Sequence, residues 1–146
     1  MNRTEYTKKE TSANRKLLAA ALESNRFKQG RKYLCYEEEK TMYYCCLGVA
    51  CELAMENGIR LGKRKETTSG VYHYIGSNRQ ELTGVLPYEV MKWLGFADNN
   101  GMLILSIENT SDDNEVLFSL VDANDTSVPF PEIAKLIKEG KVRLEL

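Results

Sequence analysis

The residues of this chain with the most reactive side chains are four cysteines and a single histidine. Three of the cysteines lie within seven residues of one another in an apolar stretch. A cysteine at the start of a helix has its thiolate favoured by the unpaired N–H groups of the first turn and by the helix dipole. One hypothesis is therefore a cysteine-dependent hydrolase that uses Cys46 or Cys45 with His73, supported by Asp98 or Asn99.

The same residues give little support to a metal site. Structural zinc is normally held by paired Cys-x₂₋₄-Cys hooks, and the chain has no such pair of hooks. On a helix, Cys45, Cys46 and Cys51 would point about 100–140° apart and could not converge on one ion. Only the addition of Cys35 and His73 would assemble a site. The competing interpretation treats the cysteines as small buried hydrophobic residues, and it predicts no metal.

A second polar segment, Asp122 to Ser127, superficially resembles a calcium-binding loop. Such a loop needs a glycine at its sixth position and a glutamate at its twelfth, where this chain has Ser127 and Ile133. We interpret the segment as an Asx-type turn that precedes a helix. The chain also lacks a Walker loop and a dinucleotide fingerprint, and no cofactor is predicted.

Two groups of basic residues lie near aromatic side chains, one before and one after the apolar stretch. Arginine grips phosphate with two parallel hydrogen bonds, and tyrosine rings stack on bases, so such groups suit a nucleotide-like anion. Solvated surface loops are the alternative explanation. The candidate ligand-binding residues are Arg26, Lys28, Arg31, Lys32 and Tyr33 in the first group, and Arg60, Lys63 and Arg64 in the second.

The overall charge limits the class of partner. The net charge is −1 and the pI is about 5.9, which is too balanced for a general nucleic-acid binder. Residues 1–92 carry 16 Lys/Arg against 11 Asp/Glu, whereas residues 93–146 carry 4 against 10. The two parts could attract each other within one fold, or the basic part could meet an anionic partner. A small anionic ligand or a host protein is therefore the expected partner.

The element that must position these residues is the apolar stretch itself. Apolar residues cover nearly every angle from Cys45 to Met55, which predicts a helix enclosed on most sides. Asn57 and Gly58 then end it. We predict further helices at 12–26, 87–95, 112–121 and 129–140, a hairpin at 32–44, and short strands at 71–75, 102–107 and 142–146.

Helices and short strands alternate without a βαβ rhythm, so the predicted class is α+β with short antiparallel strands. Residues 1–11 are predicted to be a flexible tail, and residues 12–146 a single domain. The chain shows no secretory signal and no apolar run of the roughly 20 residues that a membrane span needs, which predicts a cytoplasmic protein. A homo-oligomer stays possible, because Trp93 and the tyrosines suit either an interface or the core.

Several pieces of the chain resemble, in the same order, a group of small uncharacterised proteins encoded by tailed phages and prophages. The most specific piece is the Cys-Cys-Leu-Gly-Val-x-Cys stretch that begins at Cys45. The two prolines beside Phe130 and the acidic residues 108–115 depart from the pattern. The other pieces are Phe27-Lys28-Gln29-Gly30, Leu86-Pro87 with Val90 and Trp93-Leu94-Gly95, and Asn124-Asp125 with Phe130, Ile133-Ala134 and Ile137.

The resemblance brings no enzymatic activity with it. It implies at most an accessory role in the cytoplasm of a bacterial host, such as host takeover or evasion of host defence. Combined with the basic and aromatic residues, it predicts a non-enzymatic binding protein that engages a nucleotide-like anion or a host protein. The cysteine hydrolase is the alternative.

Overall fold

The computed structural model describes residues 2–104 and 119–146 of the chain. Strands β1 and β2 form one antiparallel sheet, and β3, β4 and β5 form another, in that order. Helices interspersed with small antiparallel sheets confirm the predicted α+β class. The elements are α1 (Lys8–Glu23), β1 (Cys35–Glu38), β2 (Thr41–Tyr44), α2 (Cys46–Glu56), β3 (Gly62–Lys65), β4 (Tyr72–Ile75), β5 (Glu81–Leu82), α3 (Tyr88–Leu94), α4 (Leu120–Asp125) and α5 (Phe130–Lys138).

Helix α2 lies at the centre of the core, as its apolar composition predicts. Eight of its eleven residues are buried, and they pack together with residues from α1, α3, α4 and α5. Gly48 lies directly against the backbone of Leu34, because a Cβ built on it would stand 2.6 Å from the Leu34 carbonyl carbon. The Cys45 N–H donates to the same carbonyl, with an N···O distance of 3.2 Å. The helix therefore fixes the chain just before β1.

Helix α1 begins earlier than predicted. Residues 8–11 belong to the helix rather than to a tail, so the predicted helix start at residue 12 is wrong. Thr7 and Glu10 form a capping box: the Thr7 hydroxyl accepts from the Glu10 N–H at 3.1 Å, and the Glu10 carboxylate accepts from the Thr7 N–H at 2.9 Å. These bonds satisfy two backbone donors of the first turn, and so they stabilise a start that the hydrophobic pattern does not show.

The hairpin is confirmed, although its first strand lies at Cys35–Glu38 rather than at the predicted 32–35, and its second strand begins at Thr41, one residue before the predicted start. Tyr36 pairs with Tyr43 across β1 and β2. Glu39 and Lys40 form the turn and both have positive φ. No strand was predicted at the position of β3, which contains Lys63 and Arg64 of the second basic group. All four of its residues are exposed, so no alternation of apolar residues marks it, and its pairing with β4 makes it a strand.

The two helices with proline near the start are confirmed. Helix α3 ends at Gly95, which has φ of 71°, and α5 is followed by Gly140, with φ of 72°. Positive φ suits glycine at a helix end. Within the described ranges, no helix has the length and apolar composition needed to cross a membrane.

Helix α4 occupies the segment interpreted from its sequence as a turn. The Ser119 hydroxyl accepts a hydrogen bond from the Asp122 N–H at 3.0 Å and so caps the helix. This short helix places Asn124 in the core, where its side chain is fully buried. The strand expected at 102–107 and the helix expected at 112–121 lie mainly outside the described residues.

Candidate functional site

Three tyrosines form a row along the outer face of the hairpin. The rings of Tyr36 and Tyr43 are stacked, with centroids 5.2 Å apart and planes at 16°. Tyr33 meets Tyr36 edge to face, at a centroid distance of 6.2 Å. We call Tyr33, Tyr36 and Tyr43 the tyrosine ladder. Cross-strand pairing of two of these residues explains their alignment, because directly opposed side chains on one sheet face lie close together.

Three cations of the loop between α1 and β1 accompany the ladder. The Lys28 ammonium lies over the Tyr43 ring, 5.4 Å from its centroid. Arg31 and Lys32 are exposed beside Tyr33 in the chain. None of the three forms an ion pair with a carboxylate within residues 2–104 and 119–146. We call these cations together with the tyrosine ladder the basic-aromatic surface.

Two side-chain amides, the half-buried Gln29 and the buried Asn124, hold the backbone of this loop in place. The Gln29 side chain donates to the Asn124 side-chain oxygen at 3.1 Å and to the Val128 carbonyl at 2.8 Å, and its own oxygen accepts from the Phe130 N–H at 3.0 Å. Asn124 donates to the Gly30 carbonyl at 2.7 Å. The loop is thus tied to α4 and to the first residue of α5, which would otherwise have an unpaired N–H.

The same network reaches the start of the central helix. The Asn124 oxygen also accepts from the N–H of Cys46, at 3.2 Å. Asp125 accepts from the Lys32 N–H at 2.8 Å, where Lys32 has φ of 73°. Gly30 is buried against the ladder, since a Cβ on it would lie 2.7 Å from the Tyr36 ring. The backbone beneath the basic-aromatic surface is therefore closely specified, while the cationic side chains point to solvent.

Arg26, the first residue of the predicted site, has a partner of its own. Its guanidinium makes two hydrogen bonds to the Glu56 carboxylate at the end of α2. It also lies over the Phe27 ring, 4.8 Å from the centroid, and Phe27 meets Tyr44 edge to face. Arg26 therefore joins the loop to the central helix, and its charge is neutralised there.

Lys63, from the second basic group, is enclosed by tyrosines. Its ammonium lies 4.9 to 5.6 Å from the ring centroids of Tyr44, Tyr72 and Tyr74 and 3.0 Å from the Glu52 carboxylate. The Tyr74 hydroxyl donates to the same carboxylate at 2.7 Å. Burial, with the charges of nearby thiol and carboxyl groups, raises the pKa of Tyr74 far above its ordinary value. Lys63 thus stabilises the contact between β3 and α2.

The remaining members of the second group, Arg60 and Arg64, have contacts that do not involve the basic-aromatic surface. Arg64 makes hydrogen bonds of 3.0 and 2.7 Å to the Glu81 carboxylate, across the second sheet. The backbone of Arg60 is bound on both sides by the side chain of Asn2, at 2.7 and 2.8 Å. No contact in the described part of the chain links Arg60 or Arg64 to the first group. The structure therefore divides the eight predicted residues rather than assembling them into one site.

The cysteines are all buried and all reduced. Burial raises the pKa of Cys45 to about 12, and it raises the pKa of Cys46 and Cys51 well above the usual range. Cys45 caps α2 by accepting from the Gly48 N–H, with an N···S distance of 3.4 Å. A thiol in this environment is a weak nucleophile, because the attacking species is the thiolate.

His73 does not approach these thiols through any described hydrogen bond. Its Nε2 lies 3.0 Å from the Glu66 carboxylate and its Nδ1 lies 3.5 Å from that of Glu81, on the second sheet. In the antiparallel register of β3 and β4, the backbone of Arg64 lies opposite that of His73. This geometry argues against the hydrolase hypothesis. Among the described residues, no three His, Cys, Asp or Glu side chains are grouped so that they could hold a metal ion.

Sequence reasoning missed four residues that build the surface. Tyr43 was predicted only as a strand residue and Tyr36 lay between the predicted strand at 32–35 and the predicted turn at 37–40, whereas the observed register pairs the two. Gln29 and Asn124 were noted as parts of a resemblance, without a structural role. Their amides meet across 95 residues of chain, and only the tertiary structure brings them together.

Comparisons with known proteins give a family but no activity. A family model described as "Domain of unknown function (DUF8296)" matches residues 11–141. The search of curated proteins and the search of solved structures returned no match.

Proposed function

Because the chain belongs to this DUF8296 family, whose description states no activity, we propose a function from the geometry: the protein binds a nucleotide-like anion at the basic-aromatic surface, without catalysing a reaction. The observation that carries the proposal is the row of three tyrosines beside three cations that lack carboxylate partners in the described structure. Aromatic rings stack on bases, and arginine and lysine hold phosphates.

The choice of this loop over the second basic group rests on charge. Two of the three cations of the second group, Lys63 and Arg64, are paired with a carboxylate of the same chain, and so is the neighbouring Lys65. An anion would have to displace those carboxylates before it could bind there. Within the described ranges, Lys28, Arg31 and Lys32 form no ion pair with a carboxylate. A phosphate could therefore bind them without first breaking an internal ion pair.

The binding role also agrees with the state of the cysteines. Their burial and raised pKa values support a structural part in the core rather than a nucleophilic one. Capture of a nucleotide without turnover would suit the phage accessory role implied by the resemblance, in which a signal of the host's defence is withheld in the bacterial cytoplasm.

A thermal-shift screen tests the proposal. The panel contains nucleoside mono-, di- and triphosphates and cyclic dinucleotides, because a ligand that binds only the folded state raises the unfolding temperature by mass action. We expect at least one of these to stabilise the protein and Arg31→Glu to abolish the shift. Arg143→Glu is the matched control, since it makes the same charge change at an exposed arginine of the C-terminal segment.

Two outcomes contradict the proposal. One is a panel in which no nucleotide changes the unfolding temperature, which would leave a host protein as the better class of partner. The other is a shift that Arg31→Glu and Arg143→Glu reduce equally, which would mean that the ligand responds to net charge rather than to this surface.

A further inference from the structure

The arrangement of rings and charges narrows the ligand further, on the premise that the proposed binding function holds. We infer that the basic-aromatic surface takes one mononucleotide with clustered phosphates, a nucleoside di- or triphosphate, rather than a stretch of single-stranded nucleic acid. In this arrangement one base stacks on Tyr33 while the phosphates meet Lys28, Arg31 and Lys32.

The ladder offers one open ring for stacking. Tyr43 has Lys28 over its ring, 5.4 Å from the centroid, and Tyr36 stacked against it. Tyr36 in turn contacts Tyr43, Tyr33 and the backbone of Gly30. Both of these tyrosines are partly buried, whereas Tyr33 is 39% exposed. Tyr33 is thus the ring of the three that is best placed to receive a base, and a single ring accommodates a single base.

The positive charges of the surface all come from one short segment. Its three cations lie within five consecutive residues, from Lys28 to Lys32. A phosphate monoester carries about −1.5 to −2 near neutral pH, so three cations match two or three adjacent phosphates better than one. A diphosphate or triphosphate holds its charges close together, so cations carried by a single loop can contact all of them.

Several charged groups next to this segment, in contact or in sequence, are negative or neutralised. Asp125 accepts a hydrogen bond from the Lys32 N–H, and the end of β1 with the hairpin turn, residues 38–40, carries a net charge of −1. Arg26 is paired with Glu56. Proteins that bind single strands combine a basic groove along the backbone with several stacking rings. This surface has only one exposed ring in its ladder, Tyr33, and three cations within residues 28–32, which is less than such a groove requires.

Isothermal titration with four probes tests the inference: ATP or GTP, the parent nucleoside, inorganic tripolyphosphate, and a short single-stranded oligonucleotide. We expect the nucleotide to bind at least about 10-fold tighter than either the nucleoside or tripolyphosphate, because each of these makes only half of the contacts. The oligonucleotide should bind no tighter than the mononucleotide. Affinity for the nucleotide should fall with added salt.

Variants separate the two halves of the site. Tyr33→Ala should weaken nucleotide binding by about 5- to 150-fold, the range measured for a stacked base, and leave tripolyphosphate binding unchanged. Arg31→Gln should weaken both by about 10-fold or more. Tyr88→Ala and Arg143→Gln change an exposed tyrosine and an exposed arginine elsewhere, and they serve as controls whose unfolding temperatures and affinities should match the wild type.

The outcomes distinguish this inference from the proposed function. An oligonucleotide that binds at least about 10-fold tighter than ATP or GTP, and loses that affinity in Tyr33→Ala, overturns the single-nucleotide inference while anion binding at this surface stands. Tripolyphosphate that binds as tightly as ATP, with no effect of Tyr33→Ala, overturns the stacked base. Absence of binding by every probe, or binding indifferent to Arg31→Gln, overturns the proposed function itself.

Discussion

Replacement of Gly48 by alanine tests how the central helix sits against the hairpin. In an isolated helix this change would stabilise, because alanine is favoured over glycine by about 1 kcal/mol in a helix interior. In this protein the added Cβ would lie 2.6 Å from the carbonyl carbon of Leu34 and closer still to its oxygen, whereas real Cβ atoms essentially never come within 3.0 Å of another heavy atom. Either the helix or the chain before β1 must move.

The cost has two parts. Overpacking of a buried contact destabilises by about 1–3 kcal/mol. Displacement of the Leu34 carbonyl also breaks its hydrogen bond from the Cys45 N–H, and buried groups left without partners cost about 1–3 kcal/mol. After the helix-propensity gain is subtracted, we expect Gly48→Ala to lower the free energy of unfolding by about 1–5 kcal/mol. For a chain of this size, that corresponds to about 2–20 °C in the midpoint of thermal unfolding.

Urea denaturation followed by far-UV circular dichroism measures the free energy directly. Gly84→Ala is the matched control, because a Cβ there would meet only the Lys32 carbonyl oxygen, at an ordinary 3.5 Å. Its stability should stay within about 0.5 kcal/mol of wild type. A Gly48→Ala protein as stable as the wild type, or more stable, would refute the close packing of α2 on Leu34.

Two further predictions concern ionisable groups. Burial raises the pKa of Glu89, but hydrogen bonds from Ser77 and neighbouring donors outweigh it and lower the pKa below its ordinary value. A carboxyl group with a lowered pKa stabilises the fold above the unfolded-state pKa of about 4.5, and this stabilisation is lost as the pH falls through the folded-state pKa. Glu89→Gln should therefore lower the free energy of unfolding by about 1–3 kcal/mol at pH 7 and by progressively less below pH 4.5. Urea midpoints measured across pH test this, with Glu38→Gln at an exposed position as the control. In native protein at pH 7.5, iodoacetamide should alkylate Cys45 and Cys46 at least about 100-fold more slowly than in denatured protein. Burial raises the pKa of Cys45 to about 12 and that of Cys46 well above its usual range, which suppresses both thiolates. Fast modification that His73→Ala slows would restore the hydrolase hypothesis.

The elements with strong local signals could be predicted from the sequence. The apolar stretch gave the buried helix α2, the tyrosine-rich segments gave the hairpin, and proline and glycine marked the helices α3 and α5. Each of these signals lies within about ten residues of chain, the range over which hydrophobic periodicity, helix-capping residues and turn residues determine local structure. The elements that were missed have weaker local signals: β3 is exposed on every residue, and α4 is only six residues long.

The candidate site could be predicted only in part, because carboxylates far away in the sequence decide which of its basic residues are neutralised. Arg26 and Lys63 belong to basic clusters in the sequence, yet Glu56 and Glu52 neutralise them in the fold. The lysines and the arginine of the loop at 28–32 keep their charge available, and nothing in the local pattern separates them from the paired ones. Charge clusters in a sequence identify candidates, and the positions of the carboxylates decide among them.

The support of the loop has an evolutionary consequence. Its path is set by the amides of Gln29 and Asn124, by the missing side chain of Gly30 and by Asp125, none of which is a cation or an aromatic ring of the proposed binding surface. The residues that would touch a ligand are a different set and hold no part of the core. A lineage could therefore exchange its contacting side chains, and with them its target, without having to re-evolve the scaffold that displays them.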